Sequence, residues 1–172
     1  QPDAIIDQMM DLLEILQSDS DCLNQKAFFD DAGQQKIRGL LFDAGDVLYF
    51  RPGHGQKFAA FLKGLGLDGR EMDTEKKAEL TDRAYQGLIS QEQFRESIVR
   101  MYGVDQPEQI ERGKQILKEE NDDIQVFDGV NKTLQELKNK GFLLGIVTDT
   151  ANPVHVKLKW FEQAGIGYIW DS

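Results

Sequence analysis

The stretch Gly39-Leu-Leu-Phe-Asp43-Ala-Gly-Asp46-Val-Leu-Tyr-Phe50 runs from apolar residues straight into a carboxylate and then into a small, flexible turn. A short apolar run bounded by turn residues reads as a buried strand, so Asp43 stands at a strand's carboxyl end. Open α/β sheets place their chemistry at that edge. A second run, Gly141-Phe-Leu-Leu-Gly-Ile-Val-Thr148, ends in a hydroxyl instead. One strand offers a nucleophile and the other a hydrogen-bond donor. Strand 1 is expected over about Lys36 to Phe42, strand 2 over Leu143 to Val147, and a third from near Tyr168.

Residues 52–125, between the two runs, read as helices. The first spans Gln56 to Leu65 with Phe58, Phe61 and Leu62 on one side, and the second spans Glu75 to Leu88. Ser90 and Gln93 form a capping box for a third, which carries Phe94, Ile98 and Val99. Asp105 with Glu108 offers the start of a fourth.

Two such runs, in this order and separated by a helical insert, resemble motifs I and II of the haloacid dehalogenase superfamily of phosphohydrolases. Motif I is matched by Phe42-Asp43-Ala44-Gly45-Asp46-Val47-Leu48 and motif II by Gly145-Ile-Val-Thr148-Asp-Thr. The approach from Val126 to Gly141 is similar to the family's helix into strand 2. The resemblance implies an α/β fold with a Rossmann-like parallel sheet and an inserted all-helical cap of the C1 type. On this reading residues 1–35 are an N-terminal amphipathic helix and linker, 36–51 and 126–172 a partial core, and 52–125 the cap. The resemblance also implies roles. Asp43 attacks phosphorus and forms an aspartyl-phosphate, Thr148 donates a hydrogen bond to the phosphate, and Mg²⁺ sits on Asp43 and the Gly45 carbonyl. The substrate class implied is a small phosphorylated metabolite, with Asp149 and His54 as further candidate substrate contacts.

The departures from the pattern matter equally. The family places a second Asp two residues after the nucleophile, where it protonates the leaving group and then activates water. Gly45 stands there, and glycine transfers no proton, which removes a contribution commonly worth ~10²–10⁴ in rate. Asp46, one residue on, either turns toward the leaving group as a catalytic acid or caps the turn and faces solvent. The family's motif III lysine and motif IV acidic pair lie beyond Ser172 in register, so the expectation is a weakly held Mg²⁺ and an incomplete site. Lys157 and Lys159 fall inside the helix after motif II and read as solvated. Two other functions compete with the phosphatase reading: a non-catalytic interaction module on the same scaffold, and dehalogenation of a small acid from the same Asp.

Composition bounds the partners. The chain has 172 residues, 40% hydrophobic, with a formal net charge of −10. That charge argues against nucleic acid and anionic membranes as partners. A single cysteine, Cys22, excludes a disulfide framework and points to a cytoplasmic, reducing compartment. Ile5, Ile6, Met9, Met10, Leu12, Leu13 and Leu16 recur at helical spacing and define an arm from about Asp3 to Gln17. The arm either folds back or docks on a partner. With strands missing on one side, strand 1 keeps an unpaired apolar edge that needs a cover. The arm, a second copy in a homodimer, or a further C-terminal portion would each serve.

Other signals are weaker. Gly64-Leu-Gly66-Leu-Asp-Gly69 matches a dinucleotide fingerprint but follows a helix rather than a strand, so it reads as a helix end and loop. His54, in Arg51-Pro-Gly-His54-Gly, either contacts phosphate or sits exposed in its loop. His155 reads as a surface residue on the helix that Asn152 caps and Pro153 opens.

Overall fold

A computed structural model describes residues 37–67, 73–148 and 150–171. The expected arm from Asp3 to Gln17 and Asp149 lie outside those residues. The chain is mixed α/β. In order the elements are β1 (Gly39–Phe42), β2 (Tyr49–Phe50), α1 (Gln56–Gly64), α2 (Thr74–Tyr85), α3 (Gln91–Met101), α4 (Pro107–Asp122), β3 (Gln125–Val126), α5 (Val130–Asn139), β4 (Leu143–Ile146) and α6 (Val154–Gln163). They divide into two compact units, one built from residues up to Phe50, Val126–Thr148 and Phe161–Ser172, the other from Arg51–Gln125 and Asp149–Trp160.

In the first unit β1 and β4 pair in parallel, Gly39 opposite Leu143 and Phe42 opposite Ile146. The ladder extends past both ends: Leu143 N–H donates to the Arg38 carbonyl at 2.9 Å, and Val147 N–H to the Phe42 carbonyl at 2.9 Å. Side chains alternate across the pleat. Phe42 and Leu144 point inward and are buried, whereas Leu41 is 71% and Leu143 55% exposed on the other face. Among the described residues, β1 has a strand partner on one edge only. The inner side joins a core of Leu48, Tyr49, Val130, Leu134, Leu137, Ile166 and Ile169, each at most 1% exposed. Aromatic rings link it from Phe42 to Trp170, Trp170 to Phe161 and Phe161 to Tyr49, with centroids 6.1 Å apart at each step. Edge-to-face and tilted geometry is what ring quadrupoles favour.

Among the described residues no strand forms near Tyr168, where a third was expected. Asp171 N–H donates to the Leu144 carbonyl at 2.8 Å, but Leu144 N–H donates back to the Asp171 carboxylate, Oδ2, at 2.8 Å. A side chain supplies the acceptor that a continuing strand would have supplied from its backbone. Lys138 completes the arrangement, its Nζ 2.5 Å from both Asp171 oxygens.

The second unit is helical around Phe58, Leu62, Ile98, Val99, Val104, Ile110 and Ile116. The α3 start follows the sequence reading: Ser90 accepts from Gln93 N–H while Gln93 Oε1 accepts from Ser90 N–H. The α4 start does not. Gln106 is the N-cap, without a side-chain bond, and Pro107 opens the helix. Proline's fixed φ and missing donor suit a first helical position better than the Asp105–Glu108 pairing does. Gly55, before α1, has no side chain to cap with, and Glu120 of α4 substitutes: its Oε1 accepts from Lys57 N–H at 2.7 Å and Phe58 N–H at 3.3 Å. Lys157 is also a correction. It is only 7% exposed, three residues from the buried Trp160 on the same helix side, while Lys159 is exposed. A three-residue spacing shares a face, and in this helix that face is the buried one.

Two expectations follow. α4 lies close to its neighbours at Gly113, where an added Cβ would lie 2.9 Å from Val99 Cγ2 and 3.2 Å from Phe61 Cε1. Ala would ordinarily gain ~1 kcal/mol over Gly inside a helix. Overpacking, typically ~1–3 kcal/mol, opposes that gain. Gly113→Ala should therefore be destabilising in urea unfolding, and Val99→Ala in the same chain should reverse part of the loss. A plain gain from Gly113→Ala would mean the contact is loose. The second expectation concerns Asp171, whose pKa is depressed first by the Lys138 hydrogen bond and then by Leu144 N–H. A depressed folded pKa gives stability that is complete above the unfolded value of about 3.9 and is lost as pH falls through the folded one. The gap in melting midpoint between the natural chain and Asp171→Asn should accordingly narrow as pH drops below about 4. A gap that stays constant with pH would show that ionised Asp171 contributes nothing.

Candidate active site

The β1–β4 register decides which side chains share an edge. Phe42 lies opposite Ile146, so the continuing register sets Asp43 level with Val147, and Thr148 follows one residue further at the same carboxyl end of the sheet. Asp43 is exposed, and its Oδ1 accepts from Ala44 N–H at 2.6 Å. Thr148 is half-buried. The chain then closes a tight turn. The Ala44 carbonyl accepts from Leu48 N–H at 3.0 Å and from Tyr49 N–H at 3.3 Å, and Asp46 N–H donates to the Tyr49 carbonyl at 2.8 Å. Ala44 and Leu48 are fully buried, so the turn is clamped to the core from below.

That closure places Asp46 in the left-handed region at φ 59°, a conformation Asp tolerates better than most residues. Its side chain is exposed and makes no hydrogen bond among the described residues. Gly45 has an ordinary backbone, and an added Cβ there would meet nothing within 4 Å. The missing carboxylate at 45 is thus no steric necessity.

For Mg²⁺ the edge offers the Asp43 carboxylate and the Gly45 carbonyl. No group of three His, Cys, Asp or Glu side chains able to hold a metal occurs among the described residues. The donor set is oxygen, which suits a hard cation, but two ligands of the usual six leave most of the shell to water. His54 belongs to the second unit, exposed in the loop before α1, with its backbone N–H 3.4 Å from the Arg51 carbonyl. It lines a cavity of that unit.

The comparisons with known proteins agree with this frame. The family described as haloacid dehalogenase-like hydrolase matches residues 70–166, more than half of the chain. The chain belongs to that family. No curated protein matches it in sequence. Among solved structures, a HAD-type hydrolase of Bacillus subtilis described as bound to magnesium aligns at TM-score 0.50 and 17% identity, over 80% of this chain and 64% of that one. A haloacid dehalogenase-like hydrolase of Streptococcus pneumoniae aligns at 0.44 and 20%, over 78% and 59%. A predicted phosphoglycolate phosphatase of Haemophilus somnus aligns at 0.46 and 16%, over 78% and 60%. The chain therefore spans about 59–64% of the length of these structures. No helix among the described residues is long and apolar enough to cross a membrane.

Sequence reading passed over one polar group that the structure brings forward. Arg95 of α3 lines a cavity in the helical unit together with Phe94 and Ile98 of the same helix and Tyr102 at its C-cap. A cation amid an apolar helical stripe was the available signal.

Because nothing crowds position 45, Gly45→Asp should fold normally. We expect a change in urea-unfolding stability within about 0.5 kcal/mol, the usual range for an uncrowded surface change. A loss of ~2 kcal/mol or more would mean that the turn needs glycine, and that its absence of an acid is structural.

Proposed function

We propose that this hydrolase acts on a small phosphorylated metabolite by phosphoryl transfer to Asp43. The observation that supports the reading is that Asp43 and Thr148 follow the carboxyl ends of two strands paired in parallel. Asp43 Oδ2 is free to attack phosphorus while Ala44 N–H holds Oδ1 and fixes the carboxylate's orientation. Thr148 supplies a hydroxyl to a phosphate oxygen. Mg²⁺, held by Asp43 and the Gly45 carbonyl, would neutralise charge on carboxylate and phosphate together. The helical unit serves as a cap that excludes water and selects substrate. With one cysteine and no metal-thiolate motif, a cytoplasmic location fits the composition.

Gly45 divides the reaction into an easier and a harder half. Attack by Asp43 needs no acid when the leaving group departs as a stable anion, whereas hydrolysis of the aspartyl-phosphate needs a base to deprotonate water. Asp46, in its left-handed turn position, is exposed and unengaged, but it is held one residue beyond the position that the chemistry uses. A non-catalytic module on this scaffold is the second reading, favoured by the same Gly45.

p-Nitrophenyl phosphate separates the two readings, because nitrophenolate leaves without protonation. In rapid-mixing experiments with Mg²⁺, the 172-residue chain should release a burst of up to one equivalent of nitrophenolate and then turn over slowly. Intact-mass analysis should find one phosphoryl group, and Asp43→Asn should abolish burst and adduct alike. Fast steady turnover lost in Asp43→Asn would instead make Asp46 the acid. Absence of a burst, with a background rate equal to that of Asp43→Asn, would leave the non-catalytic reading.

A further inference from the structure

The helical unit contains a cavity of about 330 Å³, near the lower end of the ~300–1,000 Å³ usual for small-molecule sites. It is lined by Phe58 of α1, Lys77 of α2, Phe94 and Arg95 of α3, Tyr102 at the α3 C-cap, and Glu120 of α4. Phe58 and Tyr102 meet edge-on, ring centroids 5.4 Å apart, so part of the wall is a rigid aromatic corner.

Arg95 has no hydrogen bond or salt bridge to any described residue, and the reason can be followed group by group. Two carboxylates act on it electrostatically, Asp122 and Glu92. Both are committed to other donors. Glu92 Oε1 accepts from Lys114 Nζ at 2.9 Å. Asp122 accepts from Lys118 Nζ at 2.6 Å and from Trp160 Nε1 at 3.2 Å. The cavity's own acid, Glu120, is turned to the α1 amides through Oε1, and its Oε2 is buried without a hydrogen-bond partner among the described residues. Burial pulls the Arg95 pKa below its ordinary value against the opposing pull of those two charges. Lys77 adds a second cation without an ion pair among the described residues, on an exposed wall. A guanidinium partly withdrawn from water and lacking an acceptor leaves a strong, directional hydrogen-bonding capacity unused. In a chain with 30 acidic and 20 basic side chains, leaving Arg95 unclaimed beside a cavity runs against the overall charge balance.

We infer that this cavity binds a small organic anion, its oxyanion paired in bidentate fashion with Arg95 and its flat apolar body against Phe58, Phe94 and Tyr102. Lys77 supplies longer-range attraction at the mouth. A carboxylate and a phosphate ester both meet the requirement, since a guanidinium pairs with either. The inference is independent of phosphoryl transfer at Asp43, and its test is arranged to remain so.

Binding is read by isothermal titration and ligand-observed NMR on the full 172-residue chain carrying Asp43→Asn, so that turnover does not intrude. Benzoate and phenyl phosphate share a body and differ in anion; benzamide keeps the body without charge. At least one of the two anions should bind, benzamide at least about tenfold more weakly, and their order identifies the preferred oxyanion. Arg95→Gln should weaken the bound anion about tenfold or more, the scale of one lost charge-assisted interaction. Arg95→Lys should recover only part of that, because it keeps the charge and loses the planar fork. Circular dichroism checks that both variants fold. Equal binding of benzamide and benzoate would overturn the inference, as would anion binding indifferent to Arg95→Gln or the absence of binding by either anion. Failure of the burst at Asp43 with this binding intact would count against the catalytic reading alone.

Discussion

The in-register parallel pairing of β1 with β4 is the constraint on which the site depends. Phe42 opposite Ile146 brings a carboxylate and a hydroxyl, more than a hundred residues apart in sequence, to one edge. A slip of one residue would move the inward Phe42 and Leu144 to the exposed face and carry Leu41 and Leu143 into the core. The side chains are all apolar, so hydrophobicity alone discriminates weakly. What discriminates is shape: Phe42 fits edge-on against Trp170, whose neighbours Phe161 and Tyr49 continue the contact. The Asp171 clasp on Leu144, held from the other side by Lys138, adds polar register marks at the same strand.

From that edge the turn follows. Ala44 and Leu48 are buried, and the Ala44 carbonyl takes two amides, so the backbone between them has little freedom. Asp46 is forced into the left-handed region, and Gly45, two residues beyond Asp43, has no side chain. The space around Gly45 shows that this was not dictated by packing.

The helical unit rests on a different kind of constraint. At Gly113, against Val99 and Phe61, the absence of a side chain lets α4 approach closely. The α1 amides are satisfied by Glu120, 63 residues away from Lys57. Lys114, 8% exposed, bridges Glu92 and Glu111 at 2.9 and 2.7 Å and ties α3 to α4. The same bond engages Glu92 Oε1, on a carboxylate that also acts electrostatically on Arg95. The unclaimed guanidinium is therefore a consequence of how the helices are fastened together, and replacing Lys114 would be felt at the cavity as well as in the fold.

Much of this was legible in the residues themselves. Apolar runs ending in Asp43 and Thr148 marked the strands, and Ser90 with Gln93 marked a helix start, because each signal is local and acts within a few residues. The sequence by itself determined the α/β class, the helical insert, and the identity of the groups at the sheet edge. It did not determine which face of α6 is buried, and Lys157 was misplaced for that reason. Nor did it show that Asp171 would stand in for a strand carbonyl, that Glu120 would cap α1, or that Arg95 would be left without an acceptor. Each of these depends on which of several chemically equivalent carboxylates reaches a given donor first. Distance and burial settle that choice, and they exist only once the chain has folded.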